Sequence, residues 1–254
     1  MDTIKINKGN TQMVAHAGLF GLETANTNAG FIAAGNRSYW GVECDVRVDK
    51  DGLVVIHNDS TEGFAPRTLL MSESTVEQIQ SIMLYERSFF HTMEEYGLTP
   101  EIKAPRSDLR IPTLQEYIRI CKHYGKVCVT ELKHSMTPET IAEVVAVFRE
   151  QDYLDSVVFI SFYWENLVEI RKHLPSCPVQ FLTDEKQEFT DEFLNKVAAH
   201  GFDLDIHIFT TTKELVERIH ERGIKVNVWT CDWTDKAERL VEWGVDYITS
   251  NIFE

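Results

Sequence analysis

From Pro112 onward, short apolar runs alternate with stretches whose apolar residues recur every three or four positions. The first pattern marks buried strands and the second amphipathic helices. KVCVTELK (126–133), SVVFISF (156–162), PVQFLT (178–183), DLDIHIF (203–209), IKVNVWT (224–230) and VDYITSN (245–251) read as strands. Between them run helical spacings: Leu114, Tyr117, Ile118 and Cys121; Ile141, Val144, Val145 and Phe148; Leu167, Ile170 and Leu174; Leu194 and Val197; Leu215 and Ile219; Ala237, Leu240 and Val241. Pro112-Thr113 and Thr137-Pro138 are start signals.

Upstream, MVAHA (13–17) is a short strand, and Asn26-Thr27 caps a helix through Phe31, Ile32 and Ala34 that stops near Gly35. GVECDVRVDKDGLVVIHND (41–59) reads as a hairpin around the turn Asp49-Lys50-Asp51-Gly52. From Ser60 to Arg110 the rhythm lapses, with Phe64, Phe89, Phe90 and Tyr96 as packing residues. Without the returning arm of the hairpin there are eight strands, most followed by a helix. That alternation predicts an α/β fold, a parallel (β/α)8 TIM barrel, as a single domain over 1–254 with a rim insertion at about 60–110.

The active site of such a barrel lies where the strands' C-terminal ends meet. Those ends carry His16, Glu43, Asp45, Glu131, Lys133, Ser161, Thr183, His207, Trp229 and Ser250. In the hairpin, strand alternation gives Glu43, Asp45 and Arg47 one side and Val42, Cys44 and Val46 the other. On the returning arm Leu53, Val55 and His57 share a side, and the hairpin brings His57 over the mouth. Two carboxylates in an otherwise apolar strand are costly to bury unless neutralised. A hard divalent cation would do that through oxygen ligands. Histidine adds a proton carrier that titrates near neutral pH. A strand-end histidine by itself is commonly structural; its company in this hairpin favours chemistry.

Composition narrows the classes. With 43% hydrophobic residues among 254, the chain can bury a large core. A net charge of −15 without a basic stripe argues against a nucleic-acid binder and disfavours anionic membranes. No apolar run approaches the length of a membrane span, and MDTIKINKGNTQ lacks the apolar core of a signal peptide. The five cysteines form no CxxC pair, and Cys44, Cys121 and Cys128 sit in apolar patterns. A reduced, cytoplasmic protein is expected.

Four motifs in order resemble one known family. HAGLFGLETANTNAGF (16–31) resembles the His-Arg-Gly … Pro-Glu-Asn-Thr opening of the glycerophosphodiester phosphodiesterases. ECDVRVDKDGLVVIHND is similar to their Glu-x-Asp-Val … Val-Val-x-His-Asp segment. IPTLQEYI with TELK, and VNVWT with GVDYITSN, resemble their Ile-Pro-Thr-Leu-x-Glu … Glu-Leu-Lys and closing motifs. The resemblance implies a TIM barrel with a small insertion after the hairpin. It implies metal-dependent hydrolysis of glycerophosphodiesters to an alcohol and glycerol 3-phosphate, with Mg²⁺ or Ca²⁺ held by Glu43, Asp45 and Glu131. It further implies His16 and His57 as the acid–base pair, Lys133 facing the phosphate and Trp229 lining the glycerol end.

The chain departs from the family pattern where the arginine after the first histidine is Ala17 and the glutamate of Pro-Glu-Asn-Thr is Ala25. Asn58 separates His57 from Asp59. Glu23 and Arg106 are the nearest candidates to replace the missing pair, whereas Arg37 precedes the second strand and belongs at the opposite end. Two rival readings accompany these changes: a lysophospholipase-D-like enzyme on lysolipids, and a non-catalytic binding protein that keeps the fold and the metal.

Overall fold

The computed structural model describes residues 2–86 and 105–254. Eight parallel strands close into a barrel: β1 (Gln12–Ala15), β2 (Gly41–Val48), β4 (Val127–Leu132), β5 (Val157–Ser161), β6 (Val179–Leu182), β7 (Asp203–His207), β8 (Val226–Trp229) and β9 (Tyr247–Ser250). The sheet runs from β1 through β9 down to β4 and β2, and pairing of β1 with β2 shuts it. β3 (Leu53–Val55) is the returning arm, antiparallel to β2.

Helices cover the outside because their apolar stripes need burial. Thr113 caps Leu114–Tyr124 with a capping box to Glu116, and Gly125 ends it in the left-handed conformation. Thr137, Thr190 and Thr212 cap later helices in the same way, each side chain accepting from a backbone N–H. The main core lies between helices and strands; Phe148 on Phe159 and Phe31 on Tyr117 are edge-to-face pairs within it. The five cysteines are buried free thiols. Inside the barrel, Val14, Val129, Val158, Ile160 and Leu182 form a separate apolar plug below the mouth.

The hairpin departs from the simple alternation. Val55 pairs with Val46, so Leu53 and Val55 face the outer core with Val46, away from the acids. Continued as a strand, the arm would carry His57 to that same wrong side. The strand stops at Val55 instead, and the chain turns back so that His57 comes round to Asp45. Two contacts hold the turn. Ile56 is buried in a second apolar cluster with Val54, Met71, Ile79, Leu84 and Leu109, and Arg47 donates through Nε to the His57 carbonyl at 2.8 Å. Arg47 therefore fixes backbone rather than pairing with the acids. That second cluster belongs to the stretch after the hairpin, which includes a short helix at Val76–Gln80. Phe89, Phe90 and Tyr96 lie outside the described residues.

Candidate active site

The mouth is built from the first strand onward. After β1 the chain turns sharply at Ala17 and Gly18, both at positive φ. A Cβ at Gly18 would sit 2.8 Å from the Gly30 carbonyl carbon, so the close approach of this loop to the next helix needs glycine. The turn sews the loop to β2. The Ala17 amide donates to Glu43 Oε2 at 2.6 Å, and the Gly18 amide to the Glu43 carbonyl. Asn26, also at positive φ, donates through Nδ2 to Asp45 Oδ2 at 2.7 Å and accepts from the Asp45 amide. The two central acids of β2 are thus positioned by loop residues that sequence reasoning had read only as family letters and a helix cap.

His16, Glu43, Asp45, His57, Glu131, Lys133 and Trp229, the seven site residues expected from the sequence, line one cavity of about 160 Å³. Carboxylate oxygens of Glu43, Asp45 and Glu131 lie within 4.8 Å of one another, and all three residues are buried. Lys133 reaches them from β4, with Nζ 2.9 Å from Glu131 Oε1 and 3.4 Å from Asp45 Oδ1. His57 Nδ1 is 3.4 Å from Asp45 Oδ2 on a largely exposed ring. His16 Nδ1 is 2.7 Å from Asn251 Oδ1.

The electrostatics follow from burial and proximity. Burial, with Asp45 and Glu131 alongside, pushes Glu43 well above the ordinary carboxyl range. Burial and the Asp45 charge push Glu131 up to about 7, with Lys133 opposing. Asp45 goes the other way. Burial alone would raise it, but hydrogen bonds from His57 and Asn26 and the Lys133 charge hold it well below the ordinary range. Lys133 is raised: burial works against its charge, and the Asp45 and Glu131 charges outweigh it. One ammonium thus faces three acids, and Glu43 Oε1 is buried with no hydrogen-bond partner. An oxygen-only cluster short of positive charge fits a hard divalent cation.

Alternation also decides which other residues face the mouth. Ser161 and Ser250 were expected there from their strand ends. Their hydroxyls instead serve the backbone and a loop acid: Ser161 donates to the Leu132 carbonyl and Ser250 to Asp232. Thr183 likewise does not line the cavity; Ile160, Phe162, Leu182, Asp205 and Thr249 do. Asp205 was legible in DLDIHIF as the residue two before His207, hence on the same face. His207 packs its ring on Trp229, 5.1 Å between centroids. From Trp229, rings continue outward through His207 and Phe209 to Trp233, the last two exposed at 63% and 43%.

The candidate replacements for the missing pair do not reach the cluster. Arg106 is held by Asp108, Glu86 and Glu23, the last at 3.5 Å, so Glu23 and Arg106 bind each other. Arg37 bonds Asp2 and the Ala33 carbonyl at the far end, as its place before β2 implied. Ala25 lies beside His57 in a small apolar recess with Phe64. No helix among the described residues is long and apolar enough to cross a membrane.

Residues 16–253 match the model of the glycerophosphoryl diester phosphodiesterase family. A glycerophosphodiester phosphodiesterase of Caldanaerobacter subterraneus is 24% identical over 244 residues, covering 95% of this chain and 94% of that one. One from Bacillus altitudinis is 26% identical over 245 residues, covering 94% and 93%. Among solved structures, an Oleispira antarctica phosphodiesterase in complex with the product sn-glycerol-3-phosphate superposes with a TM-score of 0.79 at 24% identity, covering 95% of this chain and 93% of that one. At that identity the structural likeness bears on the fold, the TIM barrel.

Proposed function

The chain belongs to the glycerophosphoryl diester phosphodiesterase family, and from that premise we propose that it hydrolyses glycerophosphodiesters to an alcohol and glycerol 3-phosphate at the barrel mouth. The observation that carries the reading is the buried cluster of Glu43, Asp45 and Glu131 flanked by His16 and His57 in one cavity.

Glu43, Asp45 and Glu131 would hold a divalent cation, Mg²⁺ or Ca²⁺. Bound there, it would polarise a phosphoryl oxygen and acidify the neighbouring substrate hydroxyl. The chain's own residues supply the rest. Asn251 Nδ2 and its backbone amide both donate to Asp232, at 2.5 and 2.8 Å, so its Oδ1 faces His16. His16 must then donate from Nδ1, which leaves Nε2 bare to take a proton. In the first step Nε2 accepts the proton of the glycerol 2-hydroxyl as that oxygen bonds to phosphorus. His57, against the Asp45 carboxylate, gives a proton to the departing alkoxide. The attacking hydroxyl is already tethered to the phosphorus, so little translational entropy is lost. The product is a cyclic phosphate. Water opens it with the proton roles reversed, and glycerol 3-phosphate leaves. Lys133 balances the phosphate charge beside the acids, and Trp229 walls the glycerol side.

Phosphorus NMR of glycerophosphodiester turnover with Mg²⁺ or Ca²⁺ tests the reading, repeated with His16→Ala and His57→Ala. Each substitution is expected to cost on the order of 10²–10⁴ in kcat. Activity untouched by either rejects the proton roles, and metal uptake without turnover favours a binding protein. A second reading, lysolipid cleavage, draws on the exposed rings running from Trp229 to Trp233, which would suit an acyl chain. Turnover of lysolipids without glycerophosphodiesters in the same assay would select it.

A further inference from the structure

Asp205 takes no part in the reaction above, yet it sits in the floor of the same cavity, 1% exposed. Its Oδ1 has no hydrogen-bond partner. The polar side chains nearest in register are committed to one another. Asn227, paired with Asp205 across β7 and β8, donates to Gln180 Oε1 at 3.2 Å and accepts from Thr249 Oγ1 at 3.2 Å. That layer of the barrel closes on itself and leaves Asp205 out. Ile160 and Leu182 line the same floor and offer no polar group.

A buried carboxyl oxygen with no partner is costly, by roughly 1–3 kcal/mol for the lost bond alone. Such a group persists where a ligand supplies the partner. The ligand must bring a small polar group into an apolar floor, beside Glu131, which repels a second anion. A hydroxyl meets those conditions. Trp229 stands two residue pairs further toward the mouth on the neighbouring strand, opposite His207. Asp205 therefore lies beneath the wall assigned above to the glycerol end. Burial and Glu131 raise its carboxyl, which suits exchange of a hydrogen bond with a neutral partner.

We propose that Asp205 is a specificity-determining residue that receives the terminal hydroxyl of the glycerol moiety. The site then selects diesters of glycerol over diesters whose alcohol carries only the attacking hydroxyl. The inference rests on the reading that this cavity takes a glycerophosphodiester. It also weighs against substrates acylated at that terminal oxygen, which would leave Asp205 without its donor.

The test compares glyceryl p-nitrophenyl phosphate with 2-hydroxyethyl p-nitrophenyl phosphate, both with Mg²⁺. The second keeps the attacking hydroxyl and the leaving group and lacks only the terminal hydroxymethyl. The wild-type protein is expected to prefer the glyceryl ester by ~10-fold or more in kcat/KM, the worth of one hydrogen bond to a buried group. Asp205→Ala should bring the ratio near unity by slowing the glyceryl ester, and Asp205→Asn should keep most of the preference because its carboxamide oxygen still accepts. Equal wild-type rates on the two esters overturn the proposal without any variant. So does a ratio unchanged in Asp205→Ala, including a loss of the same factor on both esters. A wild-type protein that cleaves neither ester overturns the phosphodiesterase reading itself, and this inference with it.

Discussion

Nδ1 of His16 lies 2.7 Å from Oδ1 of Asn251, whose side-chain nitrogen is itself held 2.5 Å from Asp232. Asp232 also takes the Ser250 hydroxyl and the Asn251 backbone amide, so the amide of Asn251 has one orientation. Asn251→Ala should release the His16 ring and its tautomer. We expect kcat to fall by about 10²-fold with KM within about threefold and thermal stability near wild type. Steady-state kinetics beside a melting curve decide it; an unchanged kcat would refute the positioning role.

Cation affinity should rise with pH through about 7, as the Glu131 carboxyl loses the proton that burial and Asp45 help it retain. Each proton displaced contributes about tenfold in affinity per pH unit below that point. The same group makes the metal-free protein pH-sensitive. Glu131 is raised from 4.5 to about 7, so its contribution to stability is full below 4.5 and is lost as pH rises through about 7. Asp45 is lowered, and its contribution is present above 3.8 and lost as pH falls. Titration calorimetry with Mg²⁺ and Ca²⁺ at pH 5.5 to 8 checks the first statement (~2–3 pH units suffice). The melting temperatures of chelated and cation-loaded protein, which should diverge as pH rises across that range, check the second.

Tyr117 secures the seam behind the acids. Its buried hydroxyl donates to the Val42 carbonyl at 2.6 Å, next to Glu43 in sequence. Tyr117→Phe leaves that carbonyl with one partner fewer and should cost ~1–2 kcal/mol, a fall of about 2–4 °C in Tm for a chain of this size. Turnover under saturating conditions should remain close to wild type. A melting temperature that does not move would show that the bond contributes nothing net.

Trp229→Ala should raise KM by about 10-fold with a smaller change in kcat, because the ring walls the cavity and does not handle protons. Its indole is braced edge-to-face by Phe162, 5.6 Å between centroids, and by His207. An equal loss in kcat and kcat/KM would instead place the ring at the reacting atoms.

Periodicity made the barrel legible. Each outer helix repeats its apolar stripe and each strand its buried run, and eight such units leave few alternatives to closure. The acids of β2 and β4 were legible for the same reason, since alternation placed Glu43 with Asp45 and Glu131 had only valines on its own side. The residues that hold them were not. Asn251 and Asp232 are 19 positions apart, and Asn26 reaches Asp45 from 19 positions away, through loop conformations that no spacing encodes. His57 was found by the hairpin that returns it over the mouth, although alternation put it on the face of Leu53 and Val55, because the end of β3 depends on Ile56 joining a cluster outside the barrel. Ser161 and Ser250 misled because a strand's last residue and the first of its loop point to opposite sides.

That early end of β3 separates the two histidines structurally. The acids and His16 are anchored in or beside barrel strands, whereas His57 hangs from a turn clamped by Arg47 and by the apolar cluster of the following segment. In the proposed reaction, the group that would protonate the departing alcohol and the rim above it therefore sit on one piece of chain. Changes in that piece would then alter the alcohol end of the proposed site and leave the acidic strands β2 and β4 as they are.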